Sequence, residues 1–159
     1  KYEVIDAWLH IWENTSGTAY QTSQGLYAIG SGGLFGVGLG ESKQKYLYIP
    51  EAHNDFIFAI LAEELGFVGC VAVLILFSIL VIRGVLIAMR AEDNFGSLVA
   101  VGITALIAIQ AILNIAVVTN TIPNTGISLP FLSYGGSSLM ILLGCIGILL
   151  NISKSAKKI

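Results

Sequence analysis

The chain is 159 residues long, 55% hydrophobic and only 11% charged, with a formal net charge of −2. Soluble domains carry about a quarter charged residues, and none leaves its outer face unsolvated over the 60 residues between Asp93 and Lys154, where no charge occurs. The composition excludes an ordinary soluble domain and fits a chain that lives in a bilayer, where each buried charge costs roughly 3 kcal/mol or more.

In chain order, Val4, Ile5, Trp8, Leu9 and Trp12 come first, at helical spacing, with Glu3, Asp6, His10 and Glu13 on the other faces. The stripe suits a helix lying at the membrane interface, or equally a short helix packed on the rest of the protein. Seven glycines then stand between Gly25 and Gly40, interleaved with Leu, Ile and Phe. The dinucleotide fingerprint Gly-x-Gly-x-x-Gly fails in every register, because its third glycine falls on Phe35, Glu41 or Lys43, and no Gly-Lys-Ser/Thr phosphate loop is present. The glycines instead predict a tightly folded loop whose backbone approaches a neighbour or a ligand closely.

Pro50 marks a break, and Asn54 is a good N-cap for a helix starting near Asp55. Crossing a bilayer takes ~20 mainly apolar residues, and three stretches qualify: about 56–82, 98–118 and 138–152. The last is short and is expected to be extended by the loop before it. Asp55 is expected at the outer mouth of the first span, at the positive end of its dipole. Glu63 and Glu64 lie about two turns into that span, where acids face a protein interior or a wet cavity. A hydrogen bond or ion pair with other helices is their plain reading.

Residues 119–137, rich in Pro, Gly and hydroxyl side chains, read as a re-entrant outer loop. Cys70 and Cys145 are mid-span packing residues, and His10 and His53 are too far apart to suggest a metal site. Arg83, Arg90, Lys154, Lys157 and Lys158 put the 83–97 connection and the 153–159 tail on the cytoplasmic side. Residues 1–54 and 119–137 then face outward. No N-terminal signal pattern is present, and the chain starts at Lys1 without Met, so it reads as a piece of something longer.

Three segments now resemble one known family. They are Tyr48-Ile-Pro-Glu-Ala-His-Asn-Asp-Phe-Ile-Phe-Ala59 with Ala62-Glu-Glu-Leu-Gly-Phe-Val-Gly69, the glycine-rich run Gly25–Gly40, and Ile122-Pro-Asn-Thr-Gly-Ile-Ser-Leu-Pro-Phe-Leu-Ser-Tyr-Gly-Gly-Ser-Ser138. All are similar to hallmark segments of the FtsW/RodA/SpoVE (SEDS) proteins, in the same order. Asn54 stands where Thr is commoner, Asn120-Thr121 where Gly-Leu is common and Asn124 where Val is usual. The resemblance implies an all-α integral membrane protein of about ten helices, of which this chain would hold the large outer loop and the last three.

It also implies a peptidoglycan glycosyltransferase, closer to the division or sporulation members than to the elongation member, in the bacterial cytoplasmic membrane. The implied substrate is lipid II, a disaccharide-pentapeptide on undecaprenyl pyrophosphate, and the implied partner a class B penicillin-binding protein with transpeptidase activity. Membrane lipids surround it. No nucleic acid and no cofactor are expected, and a divalent cation is left open.

On the matched motif, Asp55 falls at the family's proposed catalytic aspartate. One sugar's 4-hydroxyl must attack the anomeric carbon of another as pyrophosphate leaves, and a carboxylate base within hydrogen-bond reach is the minimum requirement. A helix N-terminus would keep that carboxylate ionised. Lys45 is either a point charge for pyrophosphate or a solvated loop lysine, and Glu51 either positions the acceptor or holds the loop. Ser133, Tyr134, Gly135, Gly136 and Ser137, with Ser138, bring hydroxyls and N–H groups to the mouth of the third span. There they bind an anion or satisfy a re-entrant backbone. Gln21 and Gln24 are read as structural hydrogen-bonding residues. Two rival classes stand beside the enzyme: a lipid II transporter with Glu63, Glu64, Gln110 and Asn114 lining a polar route, and a membrane scaffold for division enzymes. The gathering of unusual residues on one side favours the enzyme.

Overall fold

The computed structural model describes residues 17–42 and 55–155, together with Ile5, Trp8 and His10. Among them the regular elements are α1 (Gly17–Gly32), α2 (Ile57–Arg90), α3 (Asn94–Val118) and α4 (Gly136–Ser155). The last three are each long and apolar enough to cross a membrane. Large apolar side chains stay exposed along them, among them Leu76, Ile79, Ile82, Leu98, Ile112 and Ile141. Lipid solvates such surfaces where water would drive them together. The chain is an all-helical membrane protein.

The helices run further than the apolar stretches do. α2 continues past Ile82 to Arg90 and α3 starts at Asn94, so the expected 83–97 connection shrinks to Ala91–Asp93. Charge ends an apolar stretch but not a helix, and Leu, Ala, Met and Arg near the end of α2 are good helix formers. Asp93 caps α3, its carboxylate accepting from the Gly96 N–H at 2.8 Å. Ser97 Oγ donates to the Ala88 carbonyl across the turn at 2.7 Å. α4 has 20 residues, about 30 Å of helix, and needs no help from the preceding loop to reach across a bilayer.

α2 and α3 pack antiparallel at close range. A Cβ on Gly84 would stand 2.2 Å from Thr104 Oγ1, so the backbones approach where one side chain is missing. The register is steady: Ala88 meets Ser97, Gly84 meets Thr104, and Leu74 and Ile115 line one groove. Continued, it sets Asn114 opposite Leu74.

One residue breaks this regularity. Gly66 has φ 68° and ψ −166°, a conformation essentially reserved for glycine. It divides α2 into a short arm (57–65) and a long arm (67–90). The glycine-rich loop after α1 supplies the hydrogen bonds the break removes. In an unbroken helix Phe67 and Val68 N–H groups would bond the carbonyls of Glu63 and Glu64. Here Phe67 N–H donates to Gly33 O (2.9 Å) and Val68 N–H to Leu34 O (3.2 Å). The freed Glu63 and Glu64 carbonyls accept from Val37 (2.9 Å) and Gly38 (3.1 Å). All four of these groups are paired, as non-helical backbone near lipid requires. The approach is close enough that a Cβ on Gly36 would lie 2.1 Å from Glu64 O.

The break reverses the chain. Asp55, just before the short arm, has its carbonyl 2.8 Å from the Asn114 side chain, which the register sets opposite Leu74. A straight helix would carry Asp55 about 28 Å beyond Leu74. The short arm therefore folds back beside the long one. It packs on α1, with Ala28, Phe56, Phe58, Ala59 and Ile60 in one cluster.

Candidate functional site

Asp55 does not stand at the mouth of a straight span, as the sequence suggests. It lies at the foot of the folded-back short arm, because Gly66 turns the helix round. Phe56 holds the N-cap position of that arm, so Asp55 is one residue outside the cap rather than in the first turn. Phe56 is fully buried and presses on Gly25 of α1, where a Cβ would come within 2.8 Å of its ring.

Two further elements close on Asp55. From α3, Asn114 Nδ2 donates to the Asp55 carbonyl at 2.8 Å and to the Ile127 carbonyl at 2.7 Å. From the 119–135 loop, Gly126 (φ 67°) sits so close that a Cβ there would be 3.6 Å from Asp55 Oδ2. The Asn124 side chain accepts from the Gly126 N–H at 3.0 Å and shapes this turn. The site is thus a junction of a broken helix, an unbroken helix and a loop, with a half-buried carboxylate at its centre.

The loop is itself folded inward. Leu129 is buried in the cluster with Phe56, while Phe131 packs on the second cluster, around Ile103, Ile107 and Leu142. Its tip, Pro130–Leu132, lines a cavity of about 210 Å³ with Val73, Phe77 and Leu80 of the long arm. Phe131 has φ 66°, an outlier for a bulky residue and a sign that its surroundings over-determine its backbone.

The other candidates fall in three groups. Lys45 and Glu51 lie outside the described residues, as does Asn54. Ser133 is engaged by its own loop: its Oγ accepts from the Leu129 N–H at 2.7 Å and its N–H donates to the Leu129 carbonyl at 3.1 Å. Ser138 Oγ likewise donates to the Gly135 carbonyl at 3.0 Å. Tyr134, Gly136 and Ser137 are exposed and Gly135 is half-buried, all at the start of α4. Gln21 and Gln24 are half-buried on α1.

Glu63 is buried and accepts a hydrogen bond from the Ser42 hydroxyl, a partner within this chain. Glu64 Oε1 is buried without a hydrogen-bond partner among the described residues. Trp8 Nε1 donates to the Asn120 carbonyl at 3.0 Å, tying the N-terminal stripe to the start of the loop. No group of three or more metal-ligating side chains occurs among the described residues. Asn114, which only the transporter alternative singles out, has its amide nitrogen committed to two backbone carbonyls. The sequence carries a signal for it, since a carboxamide in an apolar span needs partners.

The FtsW/RodA/SpoVE family of cell cycle proteins matches residues 1–158. The chain belongs to that family. It is 57% identical over 153 residues to stage V sporulation protein E of Bacillus subtilis, covering 96% of this chain and 42% of that protein. It is 53% identical over 153 residues to the probable peptidoglycan glycosyltransferase FtsW of Trichlorobacter lovleyi, covering 96% and 40%. Among solved structures, a chain described under "Structural coordination of polymerization and crosslinking by a peptidoglycan synthase complex" superposes with a TM-score of 0.67. That likeness has 28% identity and covers 86% of this chain and 38% of that one. The chain thus spans about two-fifths of the length of the curated relatives it matches.

Proposed function

We propose that this SEDS chain belongs to a peptidoglycan glycosyltransferase that polymerises lipid II into glycan strands, with Asp55 as general base. The observation that carries the reading is the Asp55 carboxylate beside Gly126, its own backbone pinned by Asn114. A general base works only if it is held within hydrogen-bond reach of the proton it takes, and three elements fix this one. The relative named a probable peptidoglycan glycosyltransferase supports the reaction class.

In the step proposed, Asp55 takes the proton of the acceptor sugar's 4-hydroxyl while that oxygen bonds the donor's anomeric carbon. The bond from that carbon to the pyrophosphate oxygen breaks, and undecaprenyl pyrophosphate leaves with the electron pair. Lys45 would face the leaving pyrophosphate and Glu51 the acceptor. Ser133, Tyr134, Gly135, Gly136 and Ser137 would contact the donor's polar head. Residues 1–54 and 119–137 would lie outside the bacterial cytoplasmic membrane, with the 153–159 tail inside. A class B penicillin-binding protein would crosslink the product, in keeping with a structural neighbour described as a complex for polymerization and crosslinking.

The transporter reading draws less support. It needs Glu63, Glu64, Gln110 and Asn114 free to face cargo, and two of the four, Glu63 and Asn114, are tied to partners in this chain. The test is Asp55→Asn in the full-length protein with its partner, assayed in detergent, where no sidedness exists. Removing a base costs 10²–10⁴-fold in rate. Near-wild-type polymerisation by the variant, at normal membrane levels, would exclude Asp55 as the base. Lipid II flipping in sealed vesicles, independent of Asp55 and without polymer, would favour the transporter.

A further inference from the structure

Asn114 is fully buried in the C-terminal half of α3. One amide nitrogen serves two carbonyls from segments far apart in the chain, Asp55 at 2.8 Å and Ile127 at 2.7 Å. The side-chain inventory makes this hard to replace. Ser donates one hydrogen, ionised Asp and Leu none, and Gln carries its two on an arm one methylene longer. The amide orientation follows from the partners, since a flipped carboxamide would turn its oxygen on two carbonyl oxygens.

We propose that Asn114 is a positioning residue for glycosyl transfer. Its carboxamide ties the Asp55 backbone to the Ile127 segment and so sets where the Asp55 carboxylate stands beside Gly126. The inference rests on the reading of Asp55 as general base. The tie acts on the same residue that carries the carboxylate, so only one backbone torsion and the side-chain torsions of Asp55 lie between them. On the other side, fully buried Phe56 holds the backbone against Gly25. Gly126 brings the loop backbone up to the carboxylate, a Cβ there lying 3.6 Å from Oδ2. Asn114 Oδ1 is buried with no hydrogen-bond partner among the described residues. An unpaired buried acceptor is destabilising, a cost set against the two carbonyls that the amide nitrogen satisfies.

The experiment uses the full-length protein with its partner and purified lipid II, comparing wild type, Asn114→Leu, Asn114→Ser and Asp55→Asn. A misplacement of about 1 Å costs about 10²-fold in rate. Asn114→Leu is expected to lose about that factor in kcat with KM within threefold of wild type. Asn114→Ser, which keeps one donor and is easier to accommodate, is expected to lose about tenfold, and stands in if the Leu variant fails to insert. Because Asn114 acts through Asp55, adding either change to Asp55→Asn should lower the residual rate by less than threefold. The proposal is overturned by kcat within threefold of wild type, by a loss that appears in KM, or by losses that multiply fully with Asp55→Asn. An inactive Asp55→Asn beside a fully active Asn114→Leu removes the positioning role alone. A fully active Asp55→Asn removes the general-base reading beneath it.

Discussion

Replacing Gly66 by Ala tests the reversal on which the site depends. At φ 68° and ψ −166° an alanine is strained by about 1–3 kcal/mol. Its Cβ would also sit 2.3 Å from the Gly36 nitrogen and 2.7 Å from Leu34 O, both backbone atoms that no side-chain rotation can move away. Lifting the glycine-rich loop to make room opens four backbone hydrogen bonds. At 0.5–1.5 kcal/mol each that adds about 2–6 kcal/mol. The chain's alternative is to straighten, which regains two helix bonds but strips the short arm of its packing. Phe56, Phe58 and Ile60 are buried there, and exposing such side chains costs about 1.5–3 kcal/mol apiece. Either route costs at least about 3 kcal/mol, and the second also takes Asp55 away from Asn114. Gly102→Ala on α3 is the control: nothing among the described residues lies within 4 Å of its Cβ position, and helix propensity favours Ala by about 1 kcal/mol. The assay is the apparent unfolding temperature of the full-length protein in detergent, followed by lipid II polymerisation. Gly66→Ala is expected to unfold well below wild type and to make no polymer, while Gly102→Ala matches or exceeds wild type. Equal stability and activity in the two variants would refute the clasp.

Cysteines placed at exposed Glu41 and Thr125 in a Cys70→Ala, Cys145→Ala background are expected to label from outside intact cells with an impermeant maleimide, and those at Asn94 and Ser155 only after lysis; outside labelling at Asn94 would reverse the orientation. Ser42→Ala removes a hydrogen bond to the buried Glu63 carboxylate and is expected to cost about 1–3 kcal/mol of stability. Its kcat on lipid II should stay within threefold of wild type, and a large kcat loss without destabilisation would give this pair a part in the chemistry.

What the sequence made legible was composition. The apolar stretches announced three helices, and the glycines from Gly25 to Gly40 announced a close backbone approach. Gly32 and Gly36 now prove to press on the Ala62 and Glu64 carbonyls. Helix ends were less legible, because Arg83 and Arg90 close an apolar window without breaking a helix. The reversal could not be read at all. Gly66 stands in a run that would serve equally well as a straight span, and glycines are common in such spans. Its conformation is imposed by a loop some thirty residues earlier. Asp55 was recognisable as a motif residue, but its tie to Asn114 was not. A side chain bonding a distant carbonyl leaves no trace in the sequence around that carbonyl.

The exchange of hydrogen bonds at Gly66 bears on how the protein is made. Residues 33–38 leave the ribosome before residues 63–68, by roughly 2–6 s at ordinary synthesis rates. Phe67 and Val68 thus emerge with the loop that pairs with them in the folded protein already made. Asn114 follows 59 residues after Asp55, so the tie between them can close only once most of α3 has been made. The glycine-rich loop waits for its helix, and the site waits for its anchor.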